Sequence, residues 1–250
     1  MRLLWDNEID DDDFTLTAST EAANFPATKL QDMRLSSQWR TTQITAEAIV
    51  IDAGTGNTIT ATAAAIVSHN LTNGATIKIQ GNATDSWGSP TLDETFTWDA
   101  DLMVEFFNSA AFRFWRFSFA DAGNTESFLR VGRIFLGTYL QVDEEPMRDF
   151  AEEQLDSTRT LYSPTGQAYS DEGVLLRQYA VVFSFLSQTE KDNFQTMFAD
   201  IKRAKSLILL IDENLTTELP ELYCIIDSHS GYQNVSALVY SVGVTFREIK

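Results

Sequence analysis

Short runs of alternating apolar and polar residues dominate the first 140 positions of the chain. The segment "TIKIQGNA" alternates with a period of two and stops at Gly81, and "FRFWRFSFADAGN" alternates over a longer stretch. A period of two is typical of β-strands, and clusters of Gly, Asn, Asp and Pro between such runs are typical of turns. Strands this short and this evenly spaced predict a β-sandwich or jelly roll.

Two segments of this region carry more particular expectations. Aromatic residues on both faces of "FRFWRFSFADAGN" predict that this strand is buried on both sides. The segment "DADLMVEFFNSAAF" does not keep the alternation, and it predicts a short helix or an irregular crossing between strands. Trp39 and Trp115 lie in strand-like patterns and are predicted to belong to the core.

The pattern changes after residue 140. Residues 141–156 are acidic, contain a proline and do not alternate, so we predict a linker or a short helix between two domains. Long strand-like runs follow, such as "VLLRQYAVVFSFLS" and "VSALVYSVGVTFREIK". Between them, "SQTEKDNFQTMFADIKRAK" places apolar residues at helical spacing. Ser187 or Thr189 can cap this helix, and Glu190, three residues after Ser187, fits a capping box.

These patterns together predict a mainly β protein with two domains. Residues 1–140 form an N-terminal β-sandwich, 141–156 form the linker, and 157–250 form a smaller α+β domain in which one main helix packs on a sheet.

Charge and cysteine content exclude several classes of function. The formal net charge of -18 repels phosphate backbones, which argues against general nucleic-acid binding, and we predict no sequence-specific binding of nucleic acid, although an acidic surface could still line a channel for DNA. Cys224 is the one cysteine, so the chain forms no internal disulfide and no cysteine-based zinc cluster, and its apolar surroundings predict a buried thiol. No apolar stretch is long enough to predict membrane insertion.

The sequence offers no constellation typical of catalysis, so we predict no enzymatic activity, no cofactor and no metal site. His69 and His229 are far apart along the chain, and no nucleophile motif accompanies either of them. His69 is predicted to be a framework residue at a strand end. The run Asp10–Asp13 could ligate a hard cation, but it lacks the Gly and Asn residues of a calcium loop, and a solvated N-terminal arm is favoured.

One loop is a candidate binding site. Trp87 lies in "GNATDSWGSP", whose composition is typical of a loop. An exposed tryptophan can stack on a sugar ring or anchor a partner chain, and it can equally fold back over the end of the sandwich. Trp87, with Asp85 and Asn82 as hydrogen-bonding neighbours, is therefore the candidate contact for a glycan or a partner.

The order of the N-terminal pieces resembles a known family. "NFPATKLQDMRLSSQWRTT", then "AAAIVSHNLTNGATIKIQGNATDSW", then "FRFWRFSFADAGN" and "LRVGRIFLG" are similar to the discoidin-like jelly roll of bacteriophage tail proteins, over residues 20–140. The segment "SPTGQAYSDEGVLLRQYAVVFSFLSQTEKDNFQTMF" resembles minor tail and distal-tail-like proteins.

That resemblance implies a structural component of a phage virion, at the tail tip or baseplate. It implies a symmetric homo-oligomer, for which a ring is expected, with other tail proteins as partners. The implied location is the virion tail, after synthesis in the bacterial cytoplasm. The alternative is a carbohydrate-binding module that attaches the particle to a host-surface glycan.

Overall fold

The chain divides into two compact units. The computed structural model describes residues 1–142, 151–211 and 221–250. The first unit is Leu4–Leu140, and the second unit combines Met1–Leu3 with Gln141–Lys250.

The part of the chain up to residue 142 consists of strands and two 3-10 turns. The turns are Glu8–Asp10 and Ala27–Gln31. The strands are β1 (Arg2–Leu4), β2 (Thr15–Ala18), β3 (Trp39–Arg40), β4 (Glu47–Asp52), β5 (Ile59–His69), β6 (Thr76–Asn82), β7 (Leu92–Thr95), β8 (Leu102–Phe112), β9 (Phe114–Ala120), β10 (Arg130–Gly137) and β11 (Tyr139–Gln141).

Two antiparallel sheets face each other in the first unit. One has the strand order β3-β10-β5-β8 and the other β2-β4-β9-β6-β7. Their inward side chains form a single apolar core, in which Trp39 of the first sheet lies 5.7 Å, between ring centroids, from Phe119 of the second. The predicted β-sandwich is confirmed, and so is the burial of Trp39 and Trp115.

Strand β9 shows that an alternating strand of this sandwich buries one face only. Trp115, Phe117 and Phe119 are fully buried, whereas Phe114 and Arg116 on the opposite face are partly exposed. The prediction that both faces of this strand are buried is therefore wrong. Only the inward face meets the other sheet, as expected for a sandwich with one solvated side.

Strand β8 corrects a second expectation. The segment predicted to be a helix or an irregular crossing is an eleven-residue strand that pairs with β5 along its length. Its alternation is obscured for two reasons. The pairing shifts register between Ala61 and Ala63, and β8 is an edge strand whose later residues are partly exposed.

The second unit is built on one large sheet. Its strand order is β1-β16-β17-β19-β15-β12, and β18 pairs with β19, while β13 and β14 form a separate two-stranded sheet. The remaining elements are β12 (Ala151–Asp156), β13 (Arg159–Tyr162), β14 (Ala168–Asp171), β15 (Leu175–Leu186), α1 (Gln188–Ile201), β16 (Leu207–Leu210), β17 (Glu221–His229), β18 (Gln233–Ser236) and β19 (Val239–Glu248).

Helix α1 packs on this sheet as the sequence predicts. Ser187 and Glu190 form the expected capping box, each side chain receiving the other residue's backbone N–H. Phe194, Met197 and Ile201 are buried, and the Phe194 ring lies 4.8 Å from that of Phe183 on β15. The predicted arrangement of one main helix on a sheet is confirmed.

The predicted linker fits only in part. The division between the units falls at residues 140 and 141, but residues 143–150 lie outside the described part of the chain. Ala151–Asp156 are not a linker, because they form β12 and pair with β15. Acidic residues at the open edge of a sheet discourage pairing with other strands, and they also hide the alternation that would reveal this strand.

Candidate functional site

The loop between β6 and β7, residues 83–91, brings the three predicted site residues together. The Asn82 Oδ1 atom accepts hydrogen bonds from the Ala83 amide at 2.9 Å and from the Thr91 hydroxyl at 3.2 Å. Its Nδ2 atom donates to the Ser86 carbonyl at 2.7 Å. The Asn82 side chain thus holds the two ends of the loop together.

Gly81 fixes the base of this loop. A Cβ atom at Gly81 would lie 2.3 Å from the Phe112 ring, so only glycine lets that ring pack against the β6 backbone. The Gly81 carbonyl also accepts a hydrogen bond from the Thr91 amide at 3.1 Å. The loop therefore leaves the sheet from a closely packed position.

Trp87 is held from its edge and from one ring face. Its Nε1 atom donates to Asp85 Oδ1 at 2.7 Å, and the Arg116 guanidinium carbon lies 4.6 Å from its ring centroid. A guanidinium at this distance over an indole face makes a stabilising cation–π contact. The ring remains partly exposed and Asp85 is exposed.

A chain of polar side chains on the outer face of the sheet holds Arg116 in place. The Arg116 Nε atom donates to Gln80 Oε1 at 2.7 Å, and Gln80 Nε2 donates to Asp93 Oδ1 at 2.9 Å. Lys78 in turn forms an ion pair with Asp93, at 3.0 Å. Sequence reasoning missed Arg116 and Gln80 as site residues. The alternation in β9 indicates that Arg116 points outward. That Gln80 lies opposite Arg116 follows from the β6–β9 register, which the sequence does not reveal.

The pKa values at this site reflect these hydrogen bonds and the ion pair. Burial lowers the pKa of the Arg116 guanidinium, and the carboxylates of Asp93 and Asp85 oppose this shift. Burial alone would raise the pKa of Asp93, but hydrogen bonds from Lys78 and Gln80 outweigh it and hold that pKa below its usual value. Anionic and cationic groups therefore lie side by side next to the indole.

His69 lies at the strand end where the sequence places it. It ends β5, its Nε2 atom lies 3.0 Å from the Asp99 carbonyl oxygen, and its Nδ1 atom accepts from the Leu71 amide at 3.1 Å. Both ring nitrogens are thus engaged with the backbone. His229 stacks on the Phe198 ring instead, with centroids 4.4 Å apart.

The run Asp10–Asp13 is not a solvated arm throughout, which corrects the prediction. The Asp10 carboxylate pairs with the buried Arg133 guanidinium and accepts from Asn7 Nδ2 at 3.2 Å. Asp11, Asp12 and Asp13 are exposed. The reason for the difference is Arg133, whose charge would otherwise lie unpaired in the core. Within the described ranges, no group of three or more His, Cys, Asp or Glu residues is arranged to hold a metal ion.

Two further sequence predictions concern single features. Cys224 is fully buried as predicted, and this burial raises the pKa of its thiol. Among the residues that the structure describes, no helix combines the length and the apolar character needed to cross a membrane.

Comparison with known proteins yields structural neighbours but no family. No family model matches the chain, and no curated protein matches it. The family 32 carbohydrate-binding module of C. perfringens NanJ, in complex with galactose, aligns with a TM-score of 0.42 and 12% identity, over 56% of this chain and all of that one.

Two further solved structures align over about half of the chain. A chitosan-binding module from a Paenibacillus sp. IK-5 chitosanase/glucanase has a TM-score of 0.41 and 19% identity, over 52% of this chain and 97% of that one. The lectin domain of lectinolysin, in complex with Lewis B antigen, has a TM-score of 0.41 and 14% identity, over 52% and 95%.

These similarities are too low to assign a ligand to this chain. The neighbours are described as carbohydrate-binding modules and lectin domains, and none of them is described as a phage tail or baseplate protein. The role in a phage tail and the location in a virion therefore stay predictions from the sequence.

Proposed function

We propose that the first unit binds carbohydrate at the Trp87 loop, without catalysis. One observation carries this proposal: a partly exposed indole is fixed by Asp85 at its edge and by Arg116 on one ring face. An aromatic ring held in one orientation is a suitable platform for the apolar face of a pyranose. This develops the alternative drawn from the sequence, the carbohydrate-binding module.

Hydrogen-bonding groups for sugar hydroxyls lie beside the ring. Asp85 uses one carboxylate oxygen for the Trp87 indole, which leaves its Oδ2 atom as an acceptor. Arg116 donates to Gln80 through Nε, and the two terminal nitrogens of the same guanidinium, which lies over the ring, are further donors. Asn82 supports the loop and is assigned no sugar contact, because its side chain already makes three hydrogen bonds.

The site is ordered before any ligand arrives. The Asn82 hydrogen bonds close the loop, and the chain from Arg116 through Gln80 to Asp93 fixes the guanidinium. Groups that are already held lose little conformational freedom on binding, so more of the contact energy appears as affinity. The net charge of -18 repels anionic polysaccharides, so we expect a neutral sugar or an amino sugar.

A second role, assembly into a symmetric oligomer, is favoured by a different observation. Exposed apolar side chains are concentrated in the second unit, on the β13–β14 hairpin and on β15. Contiguous exposed apolar surface marks sites of protein–protein contact. We therefore retain the predicted homo-oligomer as a role of the second unit, separate from the sugar site of the first.

Glycan-array screening followed by calorimetry tests the sugar site. The wild-type chain should bind at least one neutral or amino glycan, and Trp87→Ala should weaken that binding by tenfold or more, because removal of a central aromatic anchor costs about 2 kcal/mol. Asp85→Asn should weaken it less. Trp98→Ala is the matched control, because Trp98 is also exposed in the first unit but lies outside the loop.

Two results would refute this proposal. One is the absence of binding to every neutral or amino glycan by correctly folded wild-type protein. The other is equal binding by wild type and Trp87→Ala, with circular dichroism showing that both are folded.

A further inference from the structure

The β13–β14 hairpin forms an arm, residues 159–171, that extends from the sheet of the second unit. It joins β12 to β15, and every residue of its two strands is exposed. Its register pairs Leu161 with Tyr169 and Arg159 with Asp171. Its turn is closed by Gly166, which has a φ of 86° and donates to the Ser163 carbonyl.

The arm exposes large apolar side chains that the chain itself does not cover. Leu161, Tyr162 and Tyr169 are 55, 73 and 60% exposed. A two-stranded hairpin alone in water is marginally stable. An exposed apolar hairpin of this kind is therefore expected to gain stability by packing against another surface.

The outer face of the sheet offers a groove lined by small side chains, in contrast to the large side chains of the arm. A shallow groove of about 380 Å³ crosses β15, β17 and β19, and small residues line most of it. Its lining includes Ala180, Val182, Ser228, Gly243 and Thr245. Val182 is 49% exposed, so this groove is open to a partner. Small side chains on the groove leave room for the large ones on the arm.

The arm is anchored away from the groove of its own chain. Its base is fixed at Ser157, whose amide and hydroxyl both donate to the Val174 carbonyl. From Leu175, where β15 begins, to Ala180 is five residues, or roughly 17 Å along an extended strand. To fill its own groove the arm would have to reverse direction at this base and break these hydrogen bonds.

We propose that the arm of one copy packs into the groove of a second copy of this chain. The exposed apolar side chains of the arm and its base, including Val174 and Leu175, present on the order of 500 Å². With an equal area on the receiving face, the contact buries about 1,000 Å², which is the lower bound for a specific protein interface.

This contact is heterologous, because the arm and the groove are different surfaces. Each copy gives one arm and receives another, so the contact repeats from copy to copy and either closes into a ring or continues as a filament. The inference rests on the assembly role proposed above for the second unit, and it identifies the two surfaces that meet. It is independent of the sugar site in the first unit.

Thiol crosslinking between two single variants tests the contact directly. Leu161→Cys places a thiol on the arm, and Val182→Cys places one in the groove. Cys224 gives no background, because it is fully buried and its thiol pKa is raised. A bismaleimide added to an equal mixture of the two full-length variants should give a covalent dimer, at several times the yield from either variant alone.

Thr84→Cys is the matched control, since Thr84 is exposed in a loop of the first unit. Mixed with Leu161→Cys, it should give only the background yield. The proposal is overturned if the Leu161–Val182 mixture gives no more dimer than this control.

Solution mass provides a second measurement. Light scattering should show wild-type oligomers that increase with concentration, and a Leu161→Ser/Tyr169→Ser double variant should shift to the monomer, while Thr165→Ala in the arm turn should not. A wild-type chain that stays monomeric throughout also overturns the contact. Glycan binding measured on the same double variant separates the two proposals, because failure of the arm contact leaves the sugar site intact.

Discussion

The two units differ in where they place large apolar side chains. Among the described residues, ten such side chains are exposed, of which Trp98 alone belongs to the first unit. The other nine are in the second unit: Leu161, Tyr162, Tyr169, Val174, Leu175, Val182, Phe185, Val235 and Leu238. The first unit closes its core within itself, whereas the second presents apolar surface of the kind that a partner covers.

Buried polar groups of the first unit also have their partners within that unit. The buried Glu47 accepts from the hydroxyls of Ser19 and Thr20, and the buried Arg133 pairs with Asp10 and donates to the Leu30 carbonyl. Buried polar groups are costly unless they are paired, and here the partners come from the same unit. A self-contained unit suits a binding module, and exposed apolar side chains suit assembly.

The largest effect is expected from truncating a buried tryptophan of the first unit, which should destabilise that unit and not the other. Trp115→Ala should lower the free energy of unfolding of the first unit by about 3–5 kcal/mol, the usual cost of deleting a buried tryptophan side chain. Trp115 is fully buried, packs against Phe107 and Phe112, and donates to the Ile59 carbonyl at 3.1 Å. Calorimetry should show one thermal transition shifted down and another unchanged.

Phe183→Ala is the reciprocal variant for this test. Phe183 is buried against Phe194 in the second unit, so its truncation should shift the other transition. A single transition that moves equally in both variants would show that the units unfold together. It would also count against the prediction from sequence that residues 141–156 link two separate domains.

A smaller effect is expected from the internal ion pair of the first unit. Asp10→Ala should cost about 3 kcal/mol, because it leaves the buried Arg133 guanidinium without its anionic partner. Asp12→Ala removes an equal charge from an exposed position of the same run, and a surface change of this kind is worth roughly 0.5 kcal/mol or less. Chemical denaturation compares the two variants. Equal losses of stability would mean that net charge, not this pairing, determines the effect.

Strong local patterns made most elements of the fold predictable. The capping box at Ser187 and the apolar stripe of α1 are contained within one short segment, as is the alternation that directs Trp115 inward. Strand β8 was missed because its burial does not alternate and its pairing with β5 shifts register, and β12 was missed because nearly all of its residues are exposed. Acidic residues on β12 add to this effect.

The sequence predicts the loop that carries Trp87, but it does not predict which side chains from other strands contact the indole. Turn residues around Trp87 identify the loop, because they act over a few positions. Arg116 lies on another strand and meets Trp87 only through the β6–β9 register. The pairing of Asp10 with Arg133 is of the same kind, since 123 positions separate the two residues. Contacts between distant segments depend on the packed fold, and one sequence does not reveal them.

The smallest expected effect concerns pH and the histidine of the first unit. Burial lowers the pKa of His69, and the carbonyl of Asp99 with the charges of Asp99 and Asp101 offsets this only in part. The Nδ1 atom accepts from the Leu71 amide, so protonation would also break that hydrogen bond. The folded chain therefore takes up a proton at His69 less readily than the unfolded chain does.

As pH falls through the ordinary histidine range, from about 7 to 5, protonation of the unfolded chain should draw the equilibrium toward unfolding. The stability that neutral His69 contributes is thus fully present above this window and is lost within it. His69→Gln keeps hydrogen-bonding capacity at the β5 end but cannot take up a proton. Urea denaturation at a series of pH values should show a steeper loss of stability in wild type than in His69→Gln. Parallel curves for the two proteins would mean that the His69 pKa is the same in the folded and unfolded chain.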